Sequence, residues 1–193
     1  MAFDHTILLA INGLAGKSPI LDTVGVVLAQ YGLVIYAVLM LLAWFTWPRS
    51  EVRGRRGLIY AVLGAVVALV ISGLLSHLWF RPRPFIADPS QVHPLVSHAN
   101  DSSFPSDHAT GSFALATGTA WGNKRLGTVF YVLAILVAVA RVFVGAHWPT
   151  DVIVGGVVGF VGSRLVLAAR SRLETPVKWI LRLFRYEEQQ TGL

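Results

Sequence analysis

The 193-residue sequence contains no cysteine, which excludes a disulfide framework and any thiolate metal site. It is also poor in charge. Only 13% of its residues are Asp, Glu, Lys or Arg, against roughly a quarter in a soluble globular domain. With a mean hydropathy of +0.62, this argues against an ordinary soluble enzyme and for a chain built to face lipid. There is no low-complexity tract and no repeat of the kind that builds solenoids. A basic n-region is missing too: Asp4 and His5 stand where a secretory signal carries positive charge, and the first apolar run is short, so no signal peptide is expected. The length suits one compact domain over residues 1–193. The net charge is +6, but the basic residues gather at the ends of apolar runs instead of forming a stripe interleaved with aromatics. That pattern orients a chain in a bilayer, and nucleic acid is not an expected partner.

What the sequence has in quantity is long apolar runs. A bilayer core needs about 20 apolar residues in helix. Leu58–Phe80 meets this with only Ser72, Ser76 and His77 as polar interruptions, and Leu126–Gly145 meets it with Arg141 near its end. Pro149–Ala169 is a third run, its proline tolerated in the first helical turn. Val24–Trp47 is a fourth, ending in interfacial aromatics Trp44 and Trp47. Pro105–Trp121 is too polar to face lipid all round. Its small residues (Thr110, Gly111, Ser112, Ala114, Gly118) predict a central helix packed closely by neighbours, with Gly155 and Gly159 offering a matching face. The expected fold class is therefore all-α, a polytopic transmembrane helical bundle of five or six spans. Residues 1–23 read as an interfacial or re-entrant segment or part of a sixth crossing. Residues 58–169 read as the catalytic core, and 171–193 as a basic tail containing a surface amphipathic helix.

Three basic groups set the orientation: Arg49, Arg53, Arg55 and Arg56; Lys124 and Arg125; and Arg170, Arg172 and the later bases. Alternating spans put all three on one side, which the positive-inside rule makes cytoplasmic. Residues 81–107 and 145–149 then share the outer side. There three segments converge: Arg81-Pro82-Arg83-Pro84, Phe104-Pro105-Ser106-Asp107-His108, and the stretch from Arg141 through His147 to Asp151.

Each has a bland reading when taken alone. Arginines at a membrane edge snorkel to headgroups, Ser106 is a ready N-cap, and Asp151 is a first-turn carboxylate facing a helix dipole. The set as a whole resists that reading, because ionisable groups near lipid are costly and mark function. Its chemistry matches phosphoryl transfer through a covalent intermediate. Arg81, Arg83 and Arg141 offer forked donors to a phosphate, and Ser106 with the N–H groups behind it offers an anion site. His147 is the candidate nucleophile, with Asp151 fixing its tautomer. His108 remains as general acid and then base. Asp107 reads either as pairing an arginine or orienting His108, or simply as meeting the helix dipole. His98 and Asp101 read as solvated loop residues or as substrate contacts. His77 reads as bonding within the bundle, and His93 gives no signal.

The pattern Pro-Ser-x-His followed by Arg-x5-His-x3-Asp resembles the type 2 phosphatidic acid phosphatase superfamily, over about Leu58–Ala169. The resemblance implies His147 as nucleophile, His108 as acid, Asp151 as partner of His147, and Arg83, Ser106 and Arg141 as phosphate ligands. It implies no metal or other cofactor. The first motif of that family, Lys-x6-Arg-Pro, is incomplete: Ser76 and Leu74 stand where lysine would be, so Arg81 is expected to take its role. Asp107 replaces the usual glycine, and Ala140 a frequent serine. Arg-Pro-Arg-Pro-Phe and the stretch from His98 to His108 resemble the bacitracin-resistance (BcrC-type) undecaprenyl-pyrophosphate phosphatases over nearly the whole chain. That implies a polyprenyl pyrophosphate substrate, a bacterial inner membrane and an active site on its outer face. A homodimer is left open.

Overall fold

The computed structural model describes residues 2–186, and all of their regular structure is helical. Helices α1 (Ala2–Asn12), α2 (Pro19–Thr46), α3 (Val52–Leu78) and α4 (Pro84–Ala87) are followed by α5 (Asp107–Gly122), α6 (Lys124–Phe143), α7 (Pro149–Ala168) and α8 (Glu174–Leu183). Their ends follow local chemistry. Asn123 both closes α5 and caps α6, its side chain accepting from Leu126 N at 3.1 Å. α7 opens with Pro149 in its first turn, and Asp151 Oδ2 accepts the Trp148 N–H at 2.9 Å.

Helices α2, α3, α6 and α7 are each long and apolar enough to cross a membrane, and the chain is a multi-pass membrane protein. Val24, Val27, Tyr31, Val34, Val38 and Leu41 stand exposed along α2, a patch that only lipid can cover without cost. The weak fifth run becomes α5, which sits between α3, α6 and α7. Its small residues are there for close approach. A side chain at Gly118 would collide with the Ala61 backbone of α3, and one at Gly155 of α7 would come within 2.6 Å of the Ser106 carbonyl. Bringing α5 and α7 this near is what joins Ser106 and Asp151, whose backbones bond directly, Ser106 N to Asp151 O at 3.1 Å.

The 11 residues of α1 span about 16 Å, well short of a bilayer core, and it packs on α6 and α7 at the end of the bundle where α5 and α7 begin. Leu8, fully buried, packs with Val92, Val142 and Trp148. Asn12, also fully buried, bonds the His93 backbone in both directions and the Phe143 carbonyl at 2.7 Å. α2 starts at that same end, with Gly25 against Phe143.

At the opposite, basic end, Arg55 is completely buried. It donates to the carbonyls of Trp44, Trp47 and Pro48 at 3.1, 2.6 and 2.8 Å, and lies 3.8 Å from the Tyr186 ring centre. Besides its place in the basic group at this end, it is thus a clamp on the α2–α3 turn. α8 docks through Val177 and Leu181 on the cluster around Val52 and Tyr60 and leaves Trp179 and Leu183 exposed, as expected of an amphipathic surface helix. The end of the expected tail, residues 187–193, lies outside the described residues.

Candidate active site

The three sequence segments meet at the end of the bundle away from the basic turns. His147 lies in the short α6–α7 connection, whose turn is allowed by Gly145 at φ +76°. The ring is almost wholly buried, and Nδ1 donates to the Ser103 carbonyl at 2.7 Å. That bond assigns the proton to Nδ1 and leaves the lone pair on Nε2. Nε2 in turn accepts from Arg141 Nη2 at 3.1 Å and from Arg83 Nη1 at 3.3 Å. Nε2 therefore points between two guanidinium groups.

Arg83 and Arg141 are themselves 4% and 2% exposed, so their charge is held in low dielectric. Arg83 is aimed by Asp101, which accepts from its Nε at 2.8 Å, and by the Ala146 carbonyl at 2.9 Å. Arg141 is aimed by the Ala29 carbonyl at 3.0 Å and by His98 Nε2 at 2.6 Å. Its own Nε–H is buried without an acceptor among the described residues, a donor left for an oxygen of a ligand. Burial first, and then Arg141, Arg83 and His147, push the His98 ring down to about 4. It is neutral at physiological pH and can accept from Arg141. Hydrogen bonding to Arg83 holds Asp101 below the usual carboxylate range. Burial also pushes the His147 ring down, Arg141 and Arg83 add to this, and only Asp151 pulls the other way. An imidazole kept neutral is the outcome.

Two expected roles change in the structure. Asp151 does not fix the tautomer of His147: its Oδ2 is 3.8 Å from Nδ1, and the Ser103 carbonyl holds that proton instead. Asp151 accepts from Arg81 Nη1 at 2.7 Å and from Trp148 N, and stands behind the ring as a charge. Arg81 is not free to take the role of the missing lysine. Asp151 holds one end of its guanidinium and Asp4 the other, Nη2 to Asp4 Oδ2 at 2.7 Å, with Thr150 Oγ1 also accepting at 2.7 Å.

Ser106 is fully buried and caps α5, its Oγ accepting from Ala109 N at 3.5 Å. His108, half-buried in the first turn of α5, lies against the Gln30 backbone and within electrostatic reach of Arg141, His147 and His98. Asp107 pairs with no arginine among the described contacts. It is exposed, and its Oδ1 accepts the Ser72 hydroxyl at 2.7 Å, tying α5 to α3. His77 is exposed at the end of α3 and makes no bundle bond among the described contacts.

Ser103, Asp4 and Thr150, which no sequence motif marks, also bond within this cluster, as does His98. A backbone carbonyl leaves no mark in a sequence. Asp4 did carry a signal, as an acidic residue just ahead of an apolar run.

A model of the PAP2 superfamily matches residues 57–174, more than half of the chain. The chain is 32% identical to undecaprenyl-diphosphatase BcrC of Bacillus subtilis (strain 168), over 94% of this chain and 91% of that protein. It is 30% identical to the bacitracin transport permease protein BcrC of Bacillus licheniformis, over 93% of this chain and 86% of that one. Among solved structures it is similar to Aquifex aeolicus LpxE, with a TM-score of 0.72, 24% identity, and coverage of 87% of this chain and 96% of the other.

Proposed function

The chain belongs to the PAP2 superfamily, and from that premise we propose that it hydrolyses undecaprenyl pyrophosphate to undecaprenyl phosphate and inorganic phosphate through a phosphohistidine at His147. The observation that carries this reading is the His147 Nε2 lone pair aimed between Arg83 and Arg141. Oxygens of the terminal phosphate accept from the two guanidiniums, which sets phosphorus in line with Nε2. The N–P bond forms as the bridging P–O bond breaks, and undecaprenyl phosphate leaves, its departing oxygen protonated by His108. Water then attacks the phosphoryl group, His108 takes its proton, and phosphate and free His147 result. Asp151 stabilises the positive ring of the intermediate, while Ser106 and the first N–H groups of α5 add donors for the phosphoryl oxygens.

The lipid part of the substrate has a path. A groove of about 380 Å³ runs along the α2–α3 seam over α5, lined by Leu33, Ala37, Met40, Leu58, Val62 and Leu115. It begins one helical turn from Ala29 and Gln30, whose backbones touch Arg141 and His108, and it is open to lipid, so a prenyl chain can enter sideways from the bilayer. We assign the basic end of the bundle to the cytoplasm, and the site, with α1, to the outer face of a bacterial inner membrane. The whole chain then acts as one unit, with 58–169 as its catalytic core, inside the family match over 57–174.

The test is phosphate release by the purified protein in detergent with EDTA, from undecaprenyl pyrophosphate, phosphatidylglycerol phosphate, phosphatidate and a short prenyl pyrophosphate. Undecaprenyl pyrophosphate should have the highest kcat/KM. If another lipid leads, the chemistry stands and the substrate falls; if none is hydrolysed by folded protein, the proposed reaction falls. A second expectation concerns His108. The leaving group is a phosphate, far less basic than an alkoxide, so His108→Ala should cost at least tenfold less on the pyrophosphate than on phosphatidate, out of the roughly 10²–10⁴-fold that a general acid–base supplies. Equal losses would refute the role given to the leaving group.

The name of the B. licheniformis relative favours a second reading, movement of a ligand across the membrane. For this chain the ionisable cluster lies at one end of the bundle, where a transporter needs such groups near the midplane. Ligand movement in vesicles that survives His147→Ala would revive it.

A further inference from the structure

Asp4 lies outside the stretch matched to the family, on a helix within the N-terminal segment that the sequence leaves open between an interfacial, a re-entrant and a crossing reading. Yet it is 6% exposed, and both carboxylate oxygens are engaged. Oδ1 accepts from Thr150 N at 2.9 Å, and Oδ2 accepts from Thr150 Oγ1 at 2.6 Å and from Arg81 Nη2 at 2.7 Å. Arg81 passes the connection on to Asp151 Oδ1, and Asp151 Oδ2 lies 3.8 Å from His147 Nδ1. Arg81 also lies over Trp148, 5.0 Å from its ring centre, and Trp148 Nε1 donates to Pro82 O at 3.0 Å. Behind the nucleophile there is thus a continuous chain of charges that ends in α1.

Charge explains why the chain needs that end. Asp151 alone would counter the positive ring that forms when His147 takes the phosphoryl group. Bonded to Arg81, however, it forms a pair with no net charge. Asp4 pairs with the same guanidinium and returns one net negative charge to the trio. Its pull on Thr150 also sets the first turn of α7, on which Asp151 stands. Burial alone would raise the Asp4 carboxyl, but the bonds from Thr150 and Arg81 outweigh it and hold the group ionised.

We propose that Asp4 is a positioning residue for the phosphohistidine step: through Arg81 and Thr150 it orients Asp151 behind His147 and supplies the charge that Arg81 would otherwise cancel. This rests on the phosphatase reading above. It makes α1 a working part of the site, latched to the catalytic connection and not a detachable anchor.

The experiment measures kcat, KM and Tm for Asp4→Asn, with Asn12→Ala as a control that loosens α1 at its other anchor without touching the charge chain. Asp4→Asn should lower kcat by about ten- to a hundredfold, as a slight misplacement of a reacting group does, with KM within about twofold of wild type because Arg83 and Arg141 are untouched. Asp4→Glu should recover part of the loss. Asn12→Ala should lower Tm with kcat near wild type. Thr150→Val, which removes only the bridging hydroxyl, should lower kcat less than Asp4→Asn, again at constant KM, and serves if Asp4→Asn does not fold. The proposal is overturned if Asp4→Asn or its stand-in Thr150→Val keeps full kcat, or if Asn12→Ala loses as much kcat for the same loss of Tm. Wild type inactive on every phospholipid tried would instead overturn the phosphatase reading, and this inference with it.

Discussion

Replacing His147 with alanine is expected to lower kcat for pyrophosphate hydrolysis by about 10⁴-fold or more, the scale on which removing the nucleophile of a covalent enzyme acts. The reason lies in the geometry. Nε2 sits at the meeting point of two buried guanidiniums with its lone pair exposed to them, and no other described nucleophile shares that point. Bound phosphate would still be held by Arg83 and Arg141, so the mutant should bind product or vanadate while turning over nothing. Rapid acid-free quenching of wild type with terminally labelled substrate should trap label on the protein, lost on mild acid treatment, and the mutant should trap none. Alanine also leaves the Ser103 carbonyl without its buried donor, at a cost of about 1–3 kcal/mol, so Tm must be measured beside activity. A folded mutant as fast as wild type would overturn the mechanism.

Arg141→Lys should be nearly as damaging, with kcat/KM down about 10²–10³-fold, the range for loss of an oriented donor to a developing oxyanion. The substitution keeps the charge, so the loss measures geometry. One guanidinium reaches the Ala29 carbonyl on α2, His98 on the loop and His147 Nε2 simultaneously, and has its Nε–H to spare. A lysine ammonium is a single point that cannot span those directions, and it would leave a buried carbonyl or His98 without a donor. The same substitution should lower the affinity for inorganic phosphate, measured by competition. Unchanged phosphate inhibition and kcat/KM would remove Arg141 from the site.

Much of this architecture was written in local chemistry. The apolar runs set α2, α3, α6 and α7 because a bilayer core leaves a helix little freedom in length or composition. The small residues of α5 and Gly155 of α7 announced a close contact because a Cβ occupies space wherever it is placed. Arg83 and Arg141 stood out because buried charge beside lipid is costly, and His147 because its spacing from Arg141 places it in the same short connection.

What the sequence alone could not decide was which acceptor each donor would find. Arg81 and Arg83 are two residues apart in the same Arg-Pro setting, yet one is claimed by Asp4 and Asp151 and the other faces the nucleophile. Arg55 reads as one more cytoplasmic charge and is a buried clamp on four carbonyls. Asp151 stands at the right spacing to orient His147 and loses that place to a backbone oxygen from a distant loop. By itself the sequence determined the four long apolar helices, the end of the bundle where Arg83, Arg141 and His147 gather and the residue types gathered there, since these depend on hydrophobicity and spacing along the chain. Only the tertiary structure decided the pairing of those charges, because a hydrogen bond is settled within a few tenths of an ångström by segments that are far apart in the chain.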